Sequence, residues 1–426
     1  MNRIAAFAAN APLMSVPGAP APANGVGEWY RGAGGLRLRA AFWQPQLSMG
    51  QEARGTVILS PGRTEPIEKY YETIGDFLKR GFCVLAHDWR GQGLSARLTP
   101  DRLKGHARAV EEFLDDFSRL LDTYEDRAPK PWIMVGHSMG AALNLLSLQT
   151  GEGRVVGAVL SSPMLKIKTG KRSLWSARFA ARWNVNHGKA AEYVLDDPDD
   201  PFDHSFEKDA LTTDRDRYER WREQLYACPH LAVGGVTWGW LAFGIEVGER
   251  ALKPKALKKV RVPVAIVQAG EDSRIWKTTN RWAAKRLLGG RYIEIPGAEH
   301  EVLMETDDKR QVFFMEFDSL ADAVAPRAGH APQAADSFAP EPAAAPPPMP
   351  AVEPVAAAAA APAAAEGAGQ FAAEPAFEPA PAPEGEPAPH FAEPGMPELP
   401  GAAEPAPQAE ELSIPEPPAP DRASNG

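Results

Sequence analysis

Cysteine is nearly absent from this chain: its 426 residues include two, Cys83 and Cys228, both in apolar surroundings. A disulfide framework is therefore excluded as the source of stability. No apolar run approaches the roughly 20 residues that a membrane-spanning helix needs. Residues 1–25 hold one basic side chain, Arg3, a short Ala-rich stretch and a Pro-Gly-Ala-Pro-Ala-Pro run, and they lack the apolar centre of a secretory signal. No basic patch with interleaved aromatics suits nucleic acid and no glycine-rich phosphate loop appears, so nucleic acid is not an expected partner. The expected setting is the cytoplasm, with peripheral contact at the inner membrane face as the other setting to weigh.

Basic residues are scarce in one region only. Between residues 327 and 426 there are 15 acidic side chains against Arg327 and Arg422, together with 24 of the chain's 42 prolines. A stretch of that composition cannot bury enough apolar surface to offset its chain entropy, so residues 326–426 are read as a disordered, Ala/Pro/Glu-rich acidic tail. Removing the tail's −13 from the whole-chain −10 leaves about +3 on the rest, so the acidic balance says little about a catalytic surface. No partner for the tail is legible; its scattered Phe338, Phe371, Phe377 and Phe391 are the only docking points it offers.

Ahead of the tail, short apolar runs at 56–59, 82–86, 132–135, 155–160, 264–269 and 292–295 alternate with segments of helical periodicity at 67–79, 103–124, 141–148, 276–288 and 307–324. Runs apolar along their whole length suit strands covered on both faces, and the repeated order predicts a mostly parallel α/β sheet. Residues 36–43, after Gly34-Gly35, alternate and predict an antiparallel edge hairpin. The rhythm stops after Pro163 and resumes near Val260. The intervening stretch holds Trp175, Trp183, Trp221, Trp238 and Trp240 and is too long for a loop, so it is read as an inserted helical cap. The domain reading is a flexible segment 1–25, a core of 26–162 and 259–325, a cap of 163–258 and the tail.

The most specific motif is Gly136-His137-Ser138-Met139-Gly140, between an apolar run and a small-residue helix. It predicts a serine nucleophile at a sharp strand-to-helix corner, where glycines let helix and strand close together. His137, at the motif's variable place, is expected to be a packed side chain. A serine hydroxyl needs a base, and the base needs an acid to orient it; on this fold the chain order is Ser, acid, His. Of nine histidines only His300, His330 and His390 follow a plausible acid strand, and the last two fall in the tail, which leaves His300. The acid belongs after the run 264–269, where Glu271 and Asp272 both stand. An oxyanion needs two backbone NH donors. One is assigned to Met139 and the other to Arg63, in the loop Ser60-Pro61-Gly62-Arg63, because Pro61 has no NH. From its place on this loop the Arg63 guanidinium is a candidate contact for a phosphate.

Together the elbow, the loop Asp88-Trp89-Arg90-Gly91-Gln92-Gly93-Leu94-Ser95, Gly270-Glu271-Asp272 and Ala298-Glu299-His300-Glu301 resemble the α/β hydrolases known as monoacylglycerol lipases and bacterial lysophospholipases. The likeness spans residues 28–322, and Pro61-Gly62-Arg63 is similar to the lysophospholipase branch. The resemblance favours Asp272 over Glu271 through the Gly-x-Asp spacing. It implies an α/β-hydrolase fold, hydrolysis of a single-chain acyl ester of glycerol through an acyl-serine, and no metal or organic cofactor. A general carboxylesterase acting on small soluble esters would share every catalytic residue. A non-catalytic scaffold using the tail for interactions is the third reading, which the complete set Ser138, Asp272 and His300 opposes.

Other signals have plainer readings. Asp196, Asp197, Asp199 and Asp200 with two prolines and no EF-hand glycine suit a solvated cap loop rather than a calcium site. Asp88 and Arg90 suit a strand-end turn braced by an ion pair. In the cap, Trp238 and Trp240 are candidate substrate contacts, as are Trp175, Phe179 and Trp183. The last three recur every four residues among Lys168, Lys171, Arg172, Arg178 and Arg182, the makeup of an interfacial basic helix. The reading favoured here is that their stripe packs inward as the underside of the lid; transient contact with an anionic membrane surface is the alternative.

Overall fold

A computed structural model describes residues 10–170, 172–195 and 199–326. Eight strands form one sheet: β1 Val26–Arg31, β2 Arg37–Trp43, β3 Thr56–Ser60, β4 Cys83–His87, β5 Trp132–His137, β6 Val155–Ser161, β7 Val264–Ala269 and β8 Gly290–Ile295. Their spatial order is β1-β2-β4-β3-β5-β6-β7-β8. The two pairings that involve β2 are antiparallel and the others parallel, as the alternating and continuous apolar runs predict.

Helices cover both faces. α1 Tyr71–Lys79 and the last helix put Ile74, Phe77, Phe313, Phe317 and Leu320 against one face, where Val57, Leu59, Ile133 and Val135 point. α2 Val110–Tyr124 and α3 Ser138–Thr150 pack on the other, over Ile58, Met134 and Leu160. α2 buries Val110, Phe113, Phe117, Leu120, Leu121 and Tyr124, the three-and-four spacing of a one-sided helix. It begins later than the periodicity predicts. Gly105 is drawn into an extended pairing with the cap, its NH donating to Gly235 O at 2.9 Å and its carbonyl accepting from Thr237 N at 3.0 Å, and this removes residues 103–109 from the helix.

Between β6 and β7 lie α4 Leu174–Asn186, α5 Phe206–Asp209, α6 Arg215–Ala227, α7 Trp238–Ala251 and α8 Pro254–Leu257; α9 Lys277–Ala284 and α10 Asp307–Val324 complete the chain of elements. Ser173, Asp214 and Thr237 cap α4, α6 and α7, each side chain accepting from the backbone NH three residues on. Both cysteines are free and buried. No described helix is long and apolar enough to cross a membrane.

Of the leader expected to be flexible over residues 1–25, residues 10–25 are tied to the body. Ala11 N donates to Gly27 O at 2.8 Å, and Met14 N reaches Glu68 Oε1 at 3.1 Å. The expected disordered tail lies outside the described residues, apart from Pro326.

Fully buried charges brace the edge of the sheet. Arg39 on β2 donates to Asp88 Oδ2 at 2.7 Å, to both Glu68 oxygens at 2.7 and 2.6 Å, and to Pro12 O at 2.9 Å. Asp88 and Arg90 are not paired with each other: Arg90 binds Asp116 on α2 at 2.6 Å. Replacing Arg39 with methionine strands two buried carboxylates, and removing one partner of such a pair costs about 3–5 kcal/mol. Urea denaturation of Arg39→Met should show a loss of that order, and a loss below about 1 kcal/mol would contradict this account.

Candidate active site

The carboxyl ends of the parallel strands gather the loops that carry the chemistry, as in open α/β sheets generally. β5 ends at the elbow. Ser138 has φ 47°, a left-handed backbone that a residue with a side chain enters only when its surroundings impose it. The glycines explain how α3 closes onto the sheet. A Cβ on Gly140 would lie 2.4 Å from the carbonyl oxygens of Ser60 and Pro61, and one on Gly136 would lie 2.8 Å from the Ala141 backbone.

Asp272 follows β7 and His300 follows β8. His300 Nε2 lies 3.0 Å from Ser138 Oγ, and its Nδ1 lies 2.8 Å from Asp272 Oδ2. The other Asp272 oxygen accepts from Arg274 N at 2.9 Å and Ile275 N at 3.0 Å, and Gln268 Nε2 reaches Oδ2 at 2.9 Å. Burial pushes Asp272 upward, but the charge and hydrogen bond of His300 and the two NH groups outweigh it and hold the carboxyl below its usual range. It therefore stays ionised at neutral pH. Glu271 is exposed, its backbone NH donating to Ala298 O at 2.9 Å.

The loop after β3 is clamped from both sides. Gln92 Nε2 donates to Gly62 O at 2.9 Å while its Oε1 accepts from Thr64 N at 3.0 Å. Gly62 N is itself taken by Glu65 Oε2 at 2.5 Å. Met139 stands directly after Ser138 at the first turn of α3, where backbone NH groups have no partner within the helix. The Arg63 guanidinium donates to Gly234 O at 2.8 Å, lies over the Trp240 ring at 5.5 Å and has Asp199 at 4.0 Å. Burial lowers it to about 10, against the opposing pull of Asp199 and with a further push from Arg274. Asp199 also pairs with His204 at 2.7 Å; Asp196 and Asp197, of the cap loop, lie outside the described residues.

His137 is more than a packed side chain. Its Nδ1 lies 2.9 Å from Glu65 Oε2 and its Nε2 lies 3.1 Å from the backbone carbonyl of His300. A backbone carbonyl only accepts, and so does Glu65 when ionised, so this geometry suits a ring that donates at both nitrogens. Burial pulls its pKa down, but the Glu65 charge and hydrogen bond prevail and raise it. Glu65 answers in kind: burial raises it, while His137 and Lys69 hold it well below the carboxylate range. Tyr70 OH donates to Glu65 at 2.6 Å, and Lys69 bridges Glu65 at 3.2 Å and Glu301 at 2.6 Å. Sequence reading missed Glu65, Lys69 and Glu301 as a set. The available signal was an acid in the oxyanion loop with a lysine four residues later.

These groups border a cavity of about 750 Å³. Trp238 and Trp240 line it, as do Met164, Ile167, Leu225 and Val236. Trp175, Phe179 and Trp183 do not. Against the expected inward stripe, all three are exposed, and α4 turns Ala177 and Ala180 toward the cavity instead. The small alanines let α4 sit close on α7. No cluster of His, Cys, Asp and Glu able to hold a metal ion occurs among the described residues.

Sheet order, elbow and cap together are those of an α/β hydrolase. The chain belongs to the family described as serine aminopeptidase S33, whose profile matches residues 51–307. It is 32% identical over 267 residues to lysophospholipase L2 of Escherichia coli K12, covering 60% of this chain and 77% of that protein. Monoacylglycerol lipase of Mycolicibacterium smegmatis is 25% identical, covering 66% of this chain and 91% of that protein. In fold it matches the monoglyceride lipase of Saccharomyces cerevisiae with a TM-score of 0.54 at 18% identity, covering 70% of this chain and 95% of that structure. The chain is an ester hydrolase.

The pH dependence of the His137–Glu65 pair has a definite sign. A raised histidine contributes stability fully below its unfolded value of about 6.5 and loses it as pH rises through the folded value. The depressed carboxylate contributes above about 4.3. In urea denaturation, the stability gap between wild type and His137→Gln should be widest between about pH 4.5 and 6.5 and narrow above. A gap unchanged to about pH 9 would contradict the charged pair.

Proposed function

We propose that this protein is a serine hydrolase that cleaves the acyl ester of a single-chain glycerolipid, a lysophospholipid ahead of a monoacylglycerol, through an acyl-serine. The observation that carries the reading is the 3.0 Å and 2.8 Å relay from Ser138 through His300 to Asp272 at a cavity walled by apolar cap side chains. The Ser138 hydroxyl gives its proton to His300 Nε2 as Oγ attacks the ester carbonyl carbon. Asp272 holds the ring by Nδ1–H and offsets the imidazolium charge. The oxyanion is received by the NH groups of Met139 and Arg63, each worth about 3 kcal/mol in such sites. His300 then protonates the departing glycerol oxygen. It next takes a proton from water as the water attacks the acyl carbon, and returning that proton to Ser138 releases the fatty acid.

The cavity's ionisable lining supports a phosphate-bearing head group. Lys69 is neutralised by Glu65 and Glu301, which leaves Arg63, Lys168, Arg172, Arg222 and Arg274 against Asp199. A phosphate could take charge-assisted hydrogen bonds from this set, and a monoacylglycerol could not.

Acyl release from lysophosphatidylcholine, lysophosphatidylethanolamine and monoacylglycerol tests the reading. Ser138→Ala should abolish turnover and labelling by a fluorophosphonate; retained turnover would reject the nucleophile. Arg63→Ala keeps its backbone NH but loses the cation, and should cost roughly tenfold or more on lysophospholipid with a smaller effect on monoacylglycerol. Equal losses would reject the head-group role. A chain-length series of p-nitrophenyl esters that peaked at acetate would instead mark a general carboxylesterase.

A further inference from the structure

A relay from serine through histidine works only when its parts are held within about 0.5 Å of their productive places. Here the parts stand on three separate loops: residues 61–65 after β3, the elbow at 136–140 and residues 296–301 after β8. Hydrogen bonds within the relay orient the His300 ring, but they do not by themselves place its peptide.

One carboxylate spans all three loops. Glu65 Oε2 accepts from Gly62 N at 2.5 Å and from Tyr70 OH at 2.6 Å, and His137 Nδ1 lies 2.9 Å from it. Lys69 Nζ joins Glu65 Oε1 at 3.2 Å to Glu301 Oε1 at 2.6 Å, next to His300. Across the His137 ring, Nε2 lies 3.1 Å from the His300 carbonyl oxygen, with the two rings 4.9 Å apart. Glu65 thus reaches the loop after β3 directly, the elbow through His137, and the loop after β8 by two routes. Gly62 makes room for it: a Cβ there would lie 2.6 Å from Glu65 Oε2 and 2.9 Å from His137 Nδ1.

Stability does not account for the arrangement. Glu65, Lys69 and His137 are buried, and the Glu301 side chain is 15% exposed. Ionisable groups taken out of water this completely give little net stability over apolar side chains of similar volume. What they supply is a single arrangement, because every group is paired only while the three loops keep this spacing. Once the pair is broken, the His300 carbonyl loses its donor and Gly62 N its acceptor, and both loops can shift.

We infer that Glu65 and His137 are positioning residues for the hydrolysis proposed above, holding the His300 peptide and the loop after β3 at a fixed spacing from Ser138. Neither makes or breaks a bond, and His137 acts through His300. The inference rests on the roles given there to Ser138 and His300. It adds that the rate of acyl transfer depends on a hydrogen-bond donor behind the base, carried by the residue just before Ser138.

The test is steady-state hydrolysis of p-nitrophenyl butyrate by the full chain and its Glu65→Gln and His137→Gln variants. In both variants kcat should fall about ten- to a hundredfold while KM stays within about threefold, because a shift of about 1 Å in the reacting groups costs rate rather than binding. A cooperative urea transition shows that a variant is folded. Where one is not, Tyr70→Phe takes its place: it removes one donor from Glu65, leaves the charges paired, and should lower kcat about three- to tenfold. In wild type, nitrogen NMR of labelled histidine at about pH 7 should show both His137 ring nitrogens protonated, and only one in Glu65→Gln. Unchanged kcat in the variants, a raised KM with kcat kept, or a wild-type ring with a single protonated nitrogen overturns the inference. Turnover retained in Ser138→Ala would instead remove the hydrolytic reading itself.

Discussion

The site depends first on how closely α3 can approach the ends of β3 and β5. Ser138 keeps a left-handed backbone because Gly136 and Gly140 leave no Cβ to collide with Ala141 or with the Ser60 and Pro61 carbonyls. That approach lifts the hydroxyl to the edge of the sheet and brings the first NH groups of α3 beside the loop after β3. The positions of the Ser138 hydroxyl and of the proposed oxyanion donors are thus consequences of one packing contact. Neither can be moved without the other.

A second constraint is electrostatic. Glu65 is a buried carboxylate that accepts from Gly62 N, Tyr70 and His137 and is bridged by Lys69 to Glu301. Through it the loop after β3, the elbow and the loop carrying His300 are fastened to one another. His137 completes the connection by donating to the carbonyl of His300. Buried charges are costly unless fully paired, so the network holds these three loops in one arrangement.

The cap divides the work between its two sides. α7 turns Trp238 and Trp240 into the cavity, whereas α4 gives the cavity only alanines and sends its rings outward. The cavity wall on the α4 side is thin as a result.

Local pattern alone determined much of this protein. Continuous apolar runs marked the parallel strands, because strands covered on both faces have no polar side. The glycines around Ser138 marked the elbow, since few other residues fit such a corner. Chain order pointed to His300, and spacing shared with a family favoured Asp272 over Glu271. What only the tertiary structure decided was direction and partnership across distance. The period of Trp175, Phe179 and Trp183 places them on one stripe but cannot say which way it faces, because that depends on what α7 presents to α4. Residues 103–109 have helical periodicity, yet a pairing with Gly235 and Thr237, some 130 residues away, outbids the helix. Glu65 and His137 are 72 positions apart, and their contact is a property of the folded interior alone.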